Sequence, residues 1–255
     1  MQPLLELKNI GLAYHSMNGE TLALSNISFS VEDGEFIAIV GPSGCGKSTL
    51  LSLISGLLSP ESGSIRLRGQ PIQNTSTNIG YMLQKDHLFE WRSVYSNVML
   101  GLEIQKKITE KSMDFVNNML KTYELEKFRK SKPSELSGGM RQRAALVRTL
   151  ALEPDLLLLD EPFSALDYQT RLTVCDDISS IIKEEKKTAI LVTHDLAEAI
   201  STADRVVVLS KRPGTVKKII PIEFDIPYKT PMNTRNAPEF RDYFNIIWKE
   251  LNENG

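Results

Sequence analysis

Gly41-Pro42-Ser43-Gly44-Cys45-Gly46-Lys47-Ser48-Thr49 sets a glycine, four free positions and then Gly-Lys-Ser, the spacing of a loop that wraps phosphates. Ahead of it, Phe36-Ile37-Ala38-Ile39-Val40 is a short apolar run that predicts a buried parallel strand. Behind it, Thr49 to Leu57 reads as a helix closed by a turn at Gly56. Strand, glycine-rich turn and helix start together give a cradle of backbone N–H groups at a positive dipole end, which suits an anion. Gly41, Gly44 and Gly46 let the backbone approach phosphate oxygens closely. In such a loop Lys47 supplies a point charge for the β- and γ-phosphates of a nucleotide, and Ser48 a hydroxyl for Mg²⁺. A glycine-rich turn that matched by coincidence would not have strand and helix on the correct sides.

Composition narrows the setting. The chain has 255 residues, with 41% hydrophobic and 24% charged side chains, ordinary for a globular protein of one large or two small domains. Thirty basic and 32 acidic side chains leave a net charge of −2, which argues against a chain-wide grip on nucleic acid. Cys45 and Cys175 have neither pairing nor metal-ligand spacing, so a reducing setting is expected. The opening residues lack the charged lead and long apolar run of a secretion signal. No stretch reaches the roughly 20 apolar residues of a membrane span. Work at a membrane would therefore go through a partner.

Along the chain, residues 4–35 read as short strands and turns, with Leu5-Glu6-Leu7 and Ile27 to Val31 alternating and Asp33-Gly34 as a turn. Tyr14 lies among them, and by itself a lone tyrosine reads as packing. Ser64 to Leu67 and Ile79 to Leu83 are further strands, the second running into Gln84. From about Phe89 to Thr149 the pattern turns helical, with Thr109 capping a helix that carries Met113, Val116, Met119, Leu120 and Tyr123. Lys127 to Lys132 holds four basic residues, read as a solvated face. Ser137-Gly138-Gly139 ahead of Ala144, Leu146, Val147 and Leu150 is a second helix start suited to an anion. Leu156 to Leu159, Ala189 to Thr193 and Arg205 to Leu209 are strands, with a helix over Arg171 to Glu185. This alternation predicts an α/β fold with a mostly parallel sheet, whose C-terminal strand ends gather Gly46-Lys47, Asp160-Glu161 and His194 on one edge. Prolines 221, 227 and 231 break the tail, and Phe240, Tyr243, Phe244, Ile247, Trp248 and Leu251 then mark an amphipathic helix whose apolar face must cover either its own domain or a partner.

Asp160 ends an apolar strand downstream of a phosphate loop, the position of a Mg²⁺-holding aspartate in P-loop nucleotidases. Glu161, one residue further, can reach a water opposite the γ-phosphate and orient or deprotonate it.

The phosphate loop, Gln84, Leu136-Ser137-Gly138-Gly139-Met140-Arg141-Gln142, Leu159-Asp160-Glu161-Pro162, Ser164-Ala165-Leu166-Asp167 and His194 follow one another as in an ABC-type ATPase, which the chain resembles over about residues 4–220. More narrowly it resembles the ATPase subunit of the nitrate/sulfonate/taurine class of bacterial importers, through Glu90 to Val98, Leu209-Ser210-Lys211-Arg212-Pro213-Gly214 and the final helix. The proline usual before the tryptophan of that class is Glu90 here.

The resemblance implies a P-loop NTPase fold of ABC type: a mostly parallel core sheet flanked by helices, an N-terminal antiparallel β subdomain and an inserted helical subdomain. The ATPase domain would span 1–225, with the helical subdomain at about 88–155 and a tail at 226–255 carrying a helix at about 238–251. ATP and Mg²⁺ would be the cofactors. Tyr14 would stack on adenine, and Gly41, Pro42, Ser43, Gly44, Cys45, Gly46, Lys47, Ser48 and Thr49 would take the phosphates. Ser48, Gln84 and Asp160 would surround Mg²⁺, with Gln84 also sensing the γ-phosphate. Glu161 would be the general base, His194 would hold base, water and γ-phosphate in register, and Lys47 and Gln84 would complete the catalytic set. Ser137, Gly138 and Gly139 would contact ATP bound by another copy, with Asp167 crossing the same seam. The implied partners are a second copy in a head-to-tail homodimer, a transmembrane permease docked near Gln84 and residues 86–98, and, indirectly, an extracellular solute-binding protein. No nucleic-acid partner is expected. Phe89 and Trp91 would suit the permease surface or, equally, the core, and the chain would sit peripherally on the cytoplasmic face of the membrane. The solute itself, whether sulfonate, taurine, nitrate, bicarbonate or a thiamine precursor, is not written in this chain. Two rival readings are weaker. A soluble relative acting on DNA or the ribosome carries two cassettes or a coiled-coil insertion, absent here. A small-molecule kinase has no use for Ser137-Gly138-Gly139.

Overall fold

A computed structural model describes residues 2–17, 19–72, 75, 78–227 and 229–252. The first half runs β1 (Leu5–Ser16), β2 (Gly19–Val31), β3 (Phe36–Val40), α1 (Lys47–Ile54), β4 (Ser62–Leu67), β5 (Gln70–Pro71), β6 (Ile79–Met82), α2 (Val94–Val98), α3 (Leu100–Ile104) and α4 (Glu110–Thr122). The second runs α5 (Gly138–Leu150), β7 (Leu156–Asp160), α6 (Tyr168–Glu184), β8 (Thr188–Val192), α7 (Leu196–Thr202), β9 (Arg205–Leu209), β10 (Val216–Pro221), α8 (Pro231–Thr234) and α9 (Pro238–Asn252).

The large sheet has the order β10-β9-β3-β8-β7-β6, parallel throughout except for β10. Its central strands are apolar on both faces because each face has its own core. Phe36, Ala38, Val40, Leu157, Leu159, Ala189 and Leu191 point into a core shared with the helices. Ile37, Ile39, Leu156, Leu158, Ile190 and Val192 point into a second, shared with α1 and a smaller antiparallel sheet of order β2-β1-β4-β5. Each of those fully buried Leu, Ile or Val side chains stabilises the fold by about 1.5–3 kcal/mol. The two faces together fix the strand register, since a slip of one residue would exchange the cores.

Register then places the chemistry. Ile39 pairs with Val192, Leu191 with Leu159, and Leu159 with Met82, so β3, β8, β7 and β6 end side by side. The residues that follow them, the phosphate loop, His194, Asp160-Glu161 and Gln84, emerge from one edge.

Some expectations need correction. Residues 4–35 do not form short strands: β1 and β2 are continuous over 12 and 13 residues. Register shifts between Leu7 and Ala13, with Asn9 and Asn26 in the left-handed region at φ 51° and 50°, interrupt the alternation. A strand bent by bulges reads in sequence as pieces. The helix placed over Arg171 to Glu185 begins at Tyr168, because the Asp167 side chain accepts from the Thr170 N–H and caps it. β10 carries Lys217 and Lys218 between Val216 and Ile219-Ile220, which interrupts its apolar pattern, as befits an edge strand. In the tail, Ile247 is fully buried and α9 packs on α7 and β9, whereas Trp248 is 56% exposed and stacks on Phe244. The helix beginning at Thr109 forms with a capping box to Ser112 and buries Val116, Met119 and Leu120.

Candidate active site

The phosphate loop is held open by its own backbone. Gly46, at φ 105°, is the N-cap of α1, and a Cβ there would lie 2.7 Å from Leu24 Cδ2 and 3.2 Å from the Ala23 carbonyl. Any other residue would strain the turn and push β2 away. Lys47 is 8% exposed and its Nζ donates to the Gly41 and Pro42 carbonyls at 2.8 and 3.0 Å. The ammonium is thus held inside the cradle that the loop forms, beside exposed Ser43, Gly44 and Ser48. Cys45 is 1% exposed, and burial raises its thiol above the ordinary value, so it is a small packed side chain and a poor nucleophile.

Around the loop, most of the anticipated residues gather. The Tyr14 hydroxyl lies 3.1 Å from Thr49 Oγ1, and the residue is 47% exposed beside the loop. Ser48 Oγ donates to Asp160 Oδ1 at 3.3 Å. Glu161 follows in the left-handed region at φ 46°, with its N–H bonded to the Val192 carbonyl at 2.9 Å. That unusual backbone turns the chain sharply at the strand end, a strain of the kind kept at functional sites. Its carboxylate lies 3.1 Å from His194 Nδ1. Gln84 Nε2 donates to Ser164 Oγ at 3.1 Å, and Ser164 Oγ donates to the Glu161 carbonyl at 3.0 Å.

Ser137, Gly138, Gly139 and Asp167 stand apart. Among the described residues no hydrogen bond or ion pair joins them to the phosphate loop. They lie close to one another's segments instead: a Cβ on Gly138 would be 2.9 Å from Leu166, and one on Gly139 would be 2.8 Å from Val174 of α6. Ser137 caps α5 by accepting from the Met140 N–H, at 3.3 Å. The Thr170 hydroxyl and then its N–H hold the exposed Asp167 carboxyl below the usual range.

Two residues at the site escaped the sequence reading. Tyr81 on β6 donates its hydroxyl to Asp160 Oδ2 at 3.2 Å. Burial raises the Asp160 carboxyl above its ordinary value, and the Ser48 and Tyr81 hydroxyls work against that rise. Only the parallel pairing of β6 with β7 brings Tyr81 there, so no local signal could have found it. Arg212 donates to the Gly44 carbonyl at 3.1 Å, and Gly214 exchanges backbone bonds with Ala23 and Ser25 at 2.9 Å. The Leu209 to Gly214 stretch, notable in sequence only as a resemblance, therefore braces the phosphate loop from behind.

The segment after Gln84 is pinned to the helices. Arg148 donates to the His87 and Asp86 carbonyls at 2.7 Å each, and Arg141 pairs with Asp86 at 3.1 Å. Buried Asn97 receives the Phe89 N–H at 2.7 Å and donates to the Phe89, Arg92 and Ser93 carbonyls. Phe89 and Trp91 stack at 4.6 Å on the surface this creates, 37% and 72% exposed. The basic run Lys127 to Lys132 is only partly a solvated face, because Arg129 lies 4.0 Å over the Tyr95 ring and Lys132 Nζ donates to the Trp91 carbonyl at 2.7 Å.

Comparison with known proteins agrees with this geometry. Residues 24–164 match the ABC transporter family. The chain is 47% identical to the uncharacterized ABC transporter ATP-binding protein YtlC of Bacillus subtilis, covering 97% of this chain and 95% of that one. It is 38% identical to the aliphatic sulfonates import ATP-binding protein SsuB of Bacillus licheniformis, covering 91% and 88%. With the nitrate import ATP-binding protein NrtD of Synechocystis the identity is 39%, over 95% and 93%. Among solved structures, the dimeric post-hydrolysis state of the ATP-binding cassette MJ0796 bound to ADP and Pi aligns with a TM-score of 0.72 at 30% identity, over 86% of this chain and 99% of that one. By sequence over nearly its whole length, and by fold, this chain belongs to the ABC transporter family as an ATP-binding, ATP-hydrolysing subunit related to the sulfonate and nitrate import ATPases.

Proposed function

We propose that the chain powers uptake of a small solute of the sulfonate, nitrate or taurine kind through a separate membrane permease, closing head to tail on a second copy around two ATP molecules. The observation that carries this is the separation of the site into two parts. Lys47, Ser48, Asp160, Glu161 and His194 meet at one edge, while the helix start at Ser137 lies elsewhere, capped only by its own serine. A second copy can bring that helix start, with the dipole of a 13-residue helix, to the γ-phosphate. The solved relative is dimeric with ADP and Pi bound, which supports the arrangement. ATP then acts as the adhesive between copies, and phosphate loss weakens it.

Ser48, Asp160 and Gln84 offer the oxygen donors that suit Mg²⁺, which when bound would neutralise phosphate charge. Glu161 would take the proton of the attacking water. His194 Nδ1 lies 3.1 Å from the carboxylate, and the imidazole would hold base, water and γ-phosphate in register. The reading also divides the chain into an ATPase domain over 1–225, with helical subdomain 88–155, and a tail over 226–255 whose ends lie partly outside the described residues. The stacked Phe89 and Trp91 would receive a membrane permease, which an extracellular solute-binding protein would load. Among the described residues no helix is long and apolar enough to cross a membrane. Such a permease would hold the chain peripherally at the cytoplasmic face.

Glu161→Gln tests the chemistry. It should retain ATP, form a dimer in saturating ATP and Mg²⁺ by light scattering, and hydrolyse roughly 10²–10⁴-fold more slowly. A variant that stays monomeric, even beside its permease, or that turns over at the wild-type rate, would overturn the reading. The solute is identified by purifying the whole transporter and analysing what its binding protein holds.

A further inference from the structure

Two helices begin at the two loops that matter most in the paired reading. α6 starts from Asp167, the end of the Ser164 to Asp167 segment, and α7 starts from Asp195, directly after His194. One guanidinium joins them. Arg171, one turn into α6, donates from Nη2 to the Leu166 carbonyl at 3.0 Å. Its other edge faces α7, with Nη1 3.6 Å from Asp195 Oδ2 and Nε 3.9 Å from Glu198 Oε1.

Glu198 is 3% exposed, and a carboxylate so buried needs partners on both oxygens. One oxygen faces Arg171, and the other accepts from the Thr193 hydroxyl at 2.6 Å. Thr193 Oγ1 in turn accepts from the Asp195 N–H at 3.0 Å, and Asp195 Oδ1 accepts from the Ala197 and Glu198 N–H groups at 2.8 and 3.2 Å. The residues on both sides of His194 are thus fixed by the network that Arg171 enters. The same arginine fixes the carbonyl beside Asp167. Arg171 Nε is buried and makes no hydrogen bond among the described residues, so it is one donor short of closing on Glu198. A planar fork can serve three acceptors in fixed geometry, which a lysine cannot do.

We propose that Arg171 is a positioning residue that makes the Ser164 to Asp167 segment and His194 move together. A second copy that engages Asp167 would then set the His194–Glu161 pair through α6, Arg171 and the Glu198–Thr193 link. The inference rests on the paired-copy reading and adds a relay to it.

The test uses the full-length chain with ATP hydrolysis and thermal melting as readouts. Arg171→Lys should lower kcat by roughly 10- to 100-fold, the cost of a misplaced catalytic group, with KM for ATP and the melting temperature close to wild type. Asp167→Ala should lower kcat as well, and the double variant should be no slower than the slower single, because both act through one path. The pair Arg171→Gln with Glu198→Gln removes opposite charges together and should fold while remaining slow. If the arginine variants do not fold, Thr193→Val carries the test, with a loss of kcat that Thr193→Ser restores. Wild-type kcat in a folded Arg171→Lys, or losses that multiply in the double variant, would overturn the relay; so would wild-type kcat in Thr193→Val. Glu161→Gln separates the two levels. If it is inactive while Arg171→Lys turns over normally, the relay alone fails; if it hydrolyses normally, the catalytic reading itself fails.

Discussion

Helix α1, after Gly46, and helix α5, after Ser137, both begin behind small residues and carry no acidic side chain in their first turn. Both present free backbone N–H groups and a positive dipole end to whatever lies ahead. Their surroundings differ. α1 opens into a loop that holds a buried lysine, flanked by the ends of neighbouring strands that bring Asp160, Glu161 and His194 alongside. α5 opens with Ser137 and Gly138 exposed, and its near neighbours, Leu166 and Val174, are apolar. The same local chemistry makes most of a pocket in one place and a fragment in the other. A motif therefore supplies donors, and the fold decides whether they have company.

Four changes sharpen or break this contrast. The largest effect is expected at the fragment. Ser137→Arg should leave ATP binding by the single chain unchanged in calorimetry, yet reduce hydrolysis by roughly 10²–10³-fold, as loss of a charge-stabilising donor does. Equal loss of binding would mean that the helix start serves its own chain. Next comes Lys47→Ala, which removes a buried charge from the cradle and should weaken ATP binding by roughly 10- to 100-fold. An unchanged titration would separate the lysine from the phosphates. Tyr81→Phe removes one donor from Asp160 and should raise the Mg²⁺ concentration for half-maximal hydrolysis several-fold, in keeping with about 1 kcal/mol for a single hydrogen bond. The smallest effect concerns stability. Burial raises the Asp160 carboxyl, so the folded chain keeps that proton to higher pH than the unfolded chain does. The associated stability is present below the ordinary carboxylate range and lost as pH rises through the folded value. Asp160→Asn should accordingly raise the melting temperature of the nucleotide-free protein at about pH 8, with the gain fading toward about pH 4. A lower melting temperature at the higher pH would show that the Ser48 and Tyr81 hydroxyls outweigh the cost of burial.

Much of the molecule was legible before folding. The apolar runs of β3, β7, β8 and β9 stood out because each is buried on both faces, and Thr109 was readable as a cap because its partner lies three residues on. The bulged strands β1 and β2 were not, since a register shift erases the alternation that marks a strand. β10 was missed because an edge strand tolerates lysines. Trp248 fitted the helical spacing of α9 but faces outward, because that spacing sets which residues share a stripe and not how wide a stripe the core can cover. At the site, residues inside local motifs were found, and those that arrive through pairing were not: Tyr81 comes by way of β6, Arg212 from the loop after β9, and Arg171 from one helix to the next.

What the sequence determined by itself was the glycine-rich turn from Gly41 to Thr49 between strand and helix, the carboxylate pair at the end of β7 and the alternation of the apolar strands with helices. These depend on contacts between near neighbours, whose geometry is set by residue type and spacing. What the tertiary structure decided was which of these groups meet. Parallel register carried Asp160 and His194 to the phosphate loop and left the α5 start with no hydrogen bond or ion pair to it among the described residues. Distances between residues far apart in the chain are fixed only when two cores on opposite faces of one sheet are filled together, and that is a property of the packed whole.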